Sequence, residues 1–595
     1  MIITPPDSGH PTTLTAAERP TPLSARHPEP GAATVTRDDA APSDPLIAER
    51  CAWSLVWLGV SIGGIGLFGS WSAWSPGGLA APVLVVAGIA GVAASWVVGT
   101  PRARALQLSA LGSVVLATLV GQGLGIHARR FYSTDSAAFN HVAARLVLNG
   151  VDPYTATMAA AGRLLQNPAD FWTYTVSGGH VDHVSYPAGS FLVALPAMAL
   201  GFRHGIVDWM DLFAWIAAAV LIFAFLPVAV RWVAPLLLLT TILSGVFGSG
   251  GTDAAFLPFL VLAVWRWDRF GLDRSEGLAR WMGPVALGLA CSIKQSPWFC
   301  IPFVAVGLFL EARHSGRRPW PLVGRYVAVV VGVFGVVNLP FIVWQPAAWA
   351  RGTFLPLHVP LVADGQGLVT VTLHGIARGV SLPLLTVAGA FVLLALLAAM
   401  VVWYPVVKRI WLLLLPLAFF VAPRSLFTYM LDFYPAALVA ALTVRSAAPS
   451  PTPGAIRRRV HPVWAVATPA VAAVAVMALA FASAPLDVAV RSVRTSDAAT
   501  SLDAVTVNVD NTTDQTVTPH FMVEVGSGHP VGFWHPSHGG PLVLGPHESA
   551  VVTLWPPGHF DAPAHDTNWL VEAYTTSPEA LSTSPLMYWR LGAAQ

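Results

Sequence analysis

Apolar stretches able to cross a bilayer recur along most of this chain, at about 52–68, 79–98 and 105–126, then near 324–344, 383–404, 410–422, 430–444 and 463–483. Four more apolar runs lie between 187 and 266. The stretch 283–310 divides into two short helices hinged at Lys294-Gln295-Ser296-Pro297. Basic residues gather in the short connections: Arg102 with Arg104, the arginines of 266–280 and 313–325, Lys408 with Arg409, then Arg445 and 457–459. By the positive-inside rule these connections are cytoplasmic, which turns 127–185, 345–382 and the C-terminal region outward. An odd number of crossings must join the outward loop to the basic loop at 266. The run opening at Pro187 is therefore expected to enter from outside without crossing, giving about thirteen spans.

From Pro485 the period changes. Val505, Val507 and Val509 alternate with polar residues, as do Phe521, Val523 and Val525, then Val552 and Leu554, then Trp569, Val571 and Ala573. Gly, Pro, Asn and Asp clusters separate these runs, so 485–595 reads as an extracytoplasmic β-sandwich. Residues 1–48 show no apolar period and are rich in Pro, Thr, Ala and Asp, which predicts a disordered cytoplasmic tail. Between them, 49–484 is a polytopic helical membrane domain.

Composition agrees with this organisation. Hydrophobic residues make up 55% of the 595 and charged residues 11%, with a mean hydropathy of +0.62, far outside the soluble range. A net charge of +2 without a basic stripe excludes a nucleic-acid partner. Cys51, Cys291 and Cys300 lie in or beside apolar runs and imply neither a disulfide framework nor thiol chemistry.

The polar island from Tyr132 to Tyr154 follows directly on an apolar helix ending near Ile126. Within it, Phe139, Val142, Ala143, Leu146 and Val147 share one face of a helix over 136–148, which is expected to lie in the membrane interface. Asp135 stands at its start, where an acid serves either as a helix cap or as a reactive group. Lys294 interrupts an otherwise apolar run, an expensive position that marks a phosphate-binding cation or a side chain snorkelling to the interface. Arg424 and Tyr429 fall in Pro423–Tyr434 between two spans, where Arg424 suits a phosphate or pairs with Asp432. Asp253 follows Gly248-Ser249-Gly250-Gly251 and reads as a loop acid or cap. The spacing of His180, Asp182 and His183 is too loose for a metal site, and Asn511-Thr512-Thr513 reads as a turn rather than a glycosylation acceptor.

Asp135 ahead of an aromatic and a helix, Gly150-Val151-Asp152-Pro153-Tyr154, Tyr186-Pro187 opening the next apolar run, Lys294-Gln295-Ser296-Pro297 and Leu339-Pro340-Phe341 together resemble the polyprenyl-phosphate-mannose-dependent mannosyltransferases of the GT-C glycosyltransferase superfamily. The resemblance covers about 105–445. It departs at Ala188, where a second proline is common, and at Gly250-Gly251-Thr252-Asp253, where a Gly-Gln-x-Asn turn is usual. It implies a GT-C-like fold in the plasma membrane, a polyprenyl-phosphate sugar donor, a cell-envelope glycolipid or glycan acceptor, and inverting transfer with Asp135 as base. Lys294 and Arg424 become the cations for the leaving phosphate, with Asp152, Tyr154, Tyr186, Asp253 and Tyr429 as further cavity residues. No cofactor or metal is implied. An arabinofuranosyltransferase of the same fold, and a transporter or flippase of lipid-linked sugars, are the competing expectations. Inverted repeats would favour the transporter, and none is evident.

Overall fold

The computed structural model describes residues 45–70, 75–98, 100, 102–166, 172–247, 254–272, 274–445, 462–496, 500–526, 532–537, 539–563 and 567–589. The first helix, Pro45–Ser70, already includes the last residues assigned above to the tail. Trp71, Trp74, Asp253 with the Gly-rich turn before it, and Arg457–Arg459 lie outside the described residues.

Among the described residues, eight helices are long and apolar enough to cross a membrane: Leu46–Leu67, Pro76–Val97, Arg104–Ala128, Ile206–Phe225, Ser296–His314, Pro319–Trp344, Leu382–Val402 and Val463–Phe481. Three shorter apolar helices, Val228–Leu239, Gly277–Ile293 and Phe427–Thr443, stand beside them. This is a membrane protein. Its lipid-facing surface is plainest on Pro319–Trp344 and Val463–Phe481, where only 17% and 11% of the apolar window is buried. Val331, Val336, Val343, Val471 and Val474 there are exposed, an arrangement that water would penalise and hydrocarbon accommodates.

Proline accounts for much of the difference between these helices and the expected thirteen spans. The run at 410–422 is divided between Tyr404–Leu414 and Pro416–Val421. The run from Pro187 folds as two short helices, Gly189–Leu192 and Leu195–Ala199, each less than 10 Å long at about 1.5 Å per residue and so too short to cross. Lys408 and Arg409, expected at a turn, lie inside Tyr404–Leu414. Lys408 is buried, its Nζ 3.0 Å from Glu311 and 3.5 Å from Asp268, because those acids offer the charge partners that a turn would have found in water.

The C-terminal region builds two sheets. Leu486–Thr495, Leu502–Asn511, Ser549–Trp555 and His535–Pro536 form one. Met587–Tyr588, Asn568–Thr576 and Glu579–Thr583 form the other, with His520–Val525 also paired to Asn568–Thr576. Alternating residues meet between them: Val505, Val507, Val509, Val552 and Leu554 from the first, Phe521, Val523, Trp569, Val571 and Ala573 from the second. The period-2 reading is correct for this face.

It is incomplete for the other. Gly379–Ser381, just ahead of the Leu382–Val402 helix, adds a further strand by pairing antiparallel with Glu579–Thr583. The second face of this sheet is then buried as well, with Met522, Tyr574 and Leu581 packed on Val362, Ala363, Val369, Leu373, Val380 and Leu385. The β-rich region is thus stitched into the helical body, and residues 46–595 form one compact unit. Asn511, 3% exposed, spends its amide on the Gln515 and Gly545 carbonyls, each at 2.7 Å, and builds the turn expected of it.

Candidate active site

Helix Asp135–Leu148 is capped by Thr134, whose hydroxyl accepts the Ala137 N–H at 3.2 Å. The capping role weighed for Asp135 therefore falls to its neighbour. Residues 136–144 are all buried, with Phe139 and Val142 packed on Tyr154, Phe191, Met198 and Ile206. The helix is accordingly a core element rather than an interfacial one, since the short helices after Pro187 and the turn Met158–Leu164 cover the faces that lipid and water would otherwise meet.

Asp135 instead turns its carboxylate across the fold. Its Oδ2 accepts the backbone N–H of Thr173 at 2.9 Å. Thr173 begins a segment that pairs with 360–362, where Val176 N–H reaches the Pro360 carbonyl at 3.0 Å and Val362 N–H reaches that of Tyr174 at 3.1 Å. That partner runs on into Asp364–Gly365, which pairs in parallel with Arg424–Ser425, Asp364 opposite Arg424. Gly365 has φ +110, and any side chain there would strike the Ser425 backbone, so the two strands approach as only glycine permits. Arg424 then places one nitrogen 3.6 Å from Asp364 Oδ2 and 3.3 Å from the Thr173 hydroxyl. A continuous polar chain thus joins Asp135 to Arg424 through one threonine.

Electrostatics follow from this placement. Burial pushes the Asp135 carboxyl above the usual carboxylate range, and the Thr173 hydrogen bonds and the Arg424 charge only partly offset it. Tyr186 and Tyr429 lie within electrostatic range of both Asp135 and Arg424. All four side chains are partly exposed.

Lys294 sits deeper. It is extended at the end of helix Met282–Ile293, 4% exposed, with Nζ 3.4 Å from Asp432 Oδ2 and 4.9 Å from the centre of the Tyr429 ring. Ser296 donates to the same Asp432 oxygen at 3.1 Å. The pairing considered for Arg424 with Asp432 does not form: Arg424 has Asp364, and Asp432 has Lys294. Nor does Lys294 snorkel.

Asp152 and Tyr154 stand behind the site. Asp152 accepts the Tyr154 N–H at 3.0 Å, and the Tyr154 hydroxyl donates to the Tyr186 carbonyl at 2.8 Å, with its ring against Phe191 and Phe341. Their work is to place Tyr186. His180 stacks on Trp172 and Asp182 touches His183. Among the described residues no three His, Cys, Asp or Glu side chains are grouped so as to hold a metal ion.

Sequence reasoning missed Thr173 and Asp364. Asp364 carried a signal, being the lone acid between 345 and 382. Thr173 had none, because it binds Asp135 through its backbone. No family model, no curated protein and no solved structure matches the chain.

Proposed function

We propose that this protein is a membrane glycosyltransferase that moves a sugar from a polyprenyl-phosphate donor to a glycolipid or glycan acceptor on the extracytoplasmic side. The observation that carries the reading is Asp135: relieved of capping by Thr134, partly exposed, and tied through Thr173 to the Arg424 guanidinium. A base and an anion-stabilising cation so close together are what inverting transfer from a phosphodiester requires.

In the reaction, Asp135 takes the proton from the acceptor hydroxyl as its oxygen bonds to the anomeric carbon. The bond from that carbon to the phosphate oxygen breaks, and its electron pair leaves with polyprenyl phosphate. Arg424 is the cation for the departing oxygen, because it retains 20% side-chain exposure and its fork binds phosphate in two places. Lys294, neutralised by Asp432, supports from beneath the Tyr429 ring. A phosphate departs as an anion, so no acid catalyst is needed. The lipid-facing helices supply the apolar surroundings that a polyprenyl chain needs.

The resemblance points to mannose and to a GT-C-like topology with the site outside. Purified protein in detergent or nanodiscs, given polyprenyl-phosphate-mannose, the arabinofuranose donor and extracted envelope glycolipids, tests the activity and the sugar in one assay. Product with one donor that vanishes in Asp135→Asn supports the proposal. Transfer that survives in Asp135→Asn overturns it.

A further inference from the structure

The second face of the β-rich region's larger sheet is polar where it meets the segment carrying Asp364. In the antiparallel pairing of His520–Val525 with Asn568–Thr576, Met522 stands opposite Glu572, which puts Glu524 diagonal to Glu572 on the face shared with Tyr574. Glu572 is fully buried and Glu524 is 6% exposed. The Tyr574 hydroxyl lies 2.9 Å from Glu572 Oε2 and 3.4 Å from the Ala363 carbonyl oxygen. Both glutamates also feel the charge of Asp364, the residue after Ala363.

A hydroxyl has one proton to donate. With the shared proton of the buried glutamate pair on Glu524, the Tyr574 hydroxyl donates to Glu572 at 2.9 Å and shares its hydrogen with the Ala363 carbonyl at 3.4 Å, clamping the sheet to the segment. From there the connections are short: Asp364 to Arg424 at 3.6 Å, Arg424 to the Thr173 hydroxyl at 3.3 Å, and Thr173 N–H to Asp135 at 2.9 Å.

We propose that Tyr574 and Glu572 are positioning residues for this site, fixing the Asp364–Arg424 pair through the Ala363 carbonyl and so setting the guanidinium beside Asp135. The β-rich region is then part of the catalytic apparatus rather than a separate module. The inference rests on the glycosyltransferase reading for its kinetic consequence, while its structural consequence can be read without it.

Tyr574→Phe keeps the ring and removes the hydroxyl. Hydrogen exchange followed by mass spectrometry is the first readout. The amides of Asp364, Gln366 and Gly367, which bond Pro423 and Ser425, are expected to exchange about tenfold faster or more, while those of Val505–Val509 are unchanged. Kinetics are the second: kcat is expected to fall about tenfold or more with the donor KM little altered, since displacements of an ångström in a site carry penalties of that order. Glu572→Gln, whose side-chain oxygen still accepts from Tyr574, is expected to keep near-native values. Unchanged exchange at 364–367, or faster exchange throughout the β-rich region, overturns the clamp. Faster exchange at 364–367 with kcat intact overturns the positioning role. If wild-type protein transfers no sugar from any donor, the glycosyltransferase reading fails, and the exchange experiment still decides the clamp.

Discussion

Removing the charge from Asp432 takes from Lys294 the carboxylate that lies 3.4 Å from its Nζ. The ammonium is 4% exposed, its partner carboxylate is fully buried 3.4 Å away, and the remaining neighbours include the rings of Tyr429 and Phe256. In Asp432→Asn the side-chain volume and the acceptor for Ser296 survive, and only the charge is lost. Breaking a buried pair in this way costs about 3–5 kcal/mol. The loss has a ceiling, because the amine can shed its proton instead: starting from an ordinary lysine at pH 7, about 3.4 units at about 1.4 kcal/mol each cost about 5 kcal/mol. Replacing both partners together, Lys294→Met with Asp432→Leu, removes both charges of this pair and is expected to return stability to within about 1 kcal/mol of wild type. The same double variant is expected to lose most transfer activity, as it removes the cation beneath Tyr429. Cys291 and Cys300 are buried while Cys51 is exposed, so a thiol-reactive dye on a Cys51→Ser background reports unfolding in detergent. Wild-type stability in Asp432→Asn, or a double variant as unstable as the single, would show that this pair does not hold the fold as argued.

Two further outcomes follow from protonation. Transfer by a carboxylate base fails as pH falls through the base's pKa; since Asp135 is raised, the acid limb is expected above the ordinary aspartate value of about 4, and Arg424→Gln, which removes a lowering charge, should move it to higher pH. A limb that stays in place in Arg424→Gln would separate the two residues. In the β-rich region, burial and Glu572 raise the Glu524 carboxyl, so the folded state keeps a proton that the unfolded chain releases above pH of about 4.3. That stability is complete at lower pH and declines as pH climbs toward the folded value, by at most about 1.4 kcal/mol per unit, and Glu524→Gln should flatten the decline between pH 6 and 9. An equal slope in the variant would refute the shared proton.

Local period and local chemistry were legible in the sequence. The hinge at Lys294–Pro297 is there because proline ends the first helix and Lys294 goes extended before it. The inner face of the two sheets follows from alternation. What escaped were features that depend on two distant segments meeting. Asp364 and Arg424 become partners only through a two-residue parallel ladder between separate loops, and Thr173 binds through a backbone group every residue possesses. The helix after Asp135 has an amphipathic pattern because one face meets a large apolar cluster, but its polar face is covered too, which no helical wheel reveals. Lys408 looked like a turn residue until two acids from other helices were brought to it. The strand Gly379–Ser381 is too short to carry a period at all.

The measurement nearest the centre of this account is sugar transfer by Asp135→Asn beside Thr134→Ala, with unfolding followed in both. Thr134→Ala removes the helix cap and is expected to destabilise the protein by about 1 kcal/mol while retaining transfer. Asp135→Asn is expected to remain folded and bind donor while losing transfer by about a hundredfold or more. Full activity in Asp135→Asn, or loss of activity only in proportion to loss of folding, would contradict a catalytic Asp135.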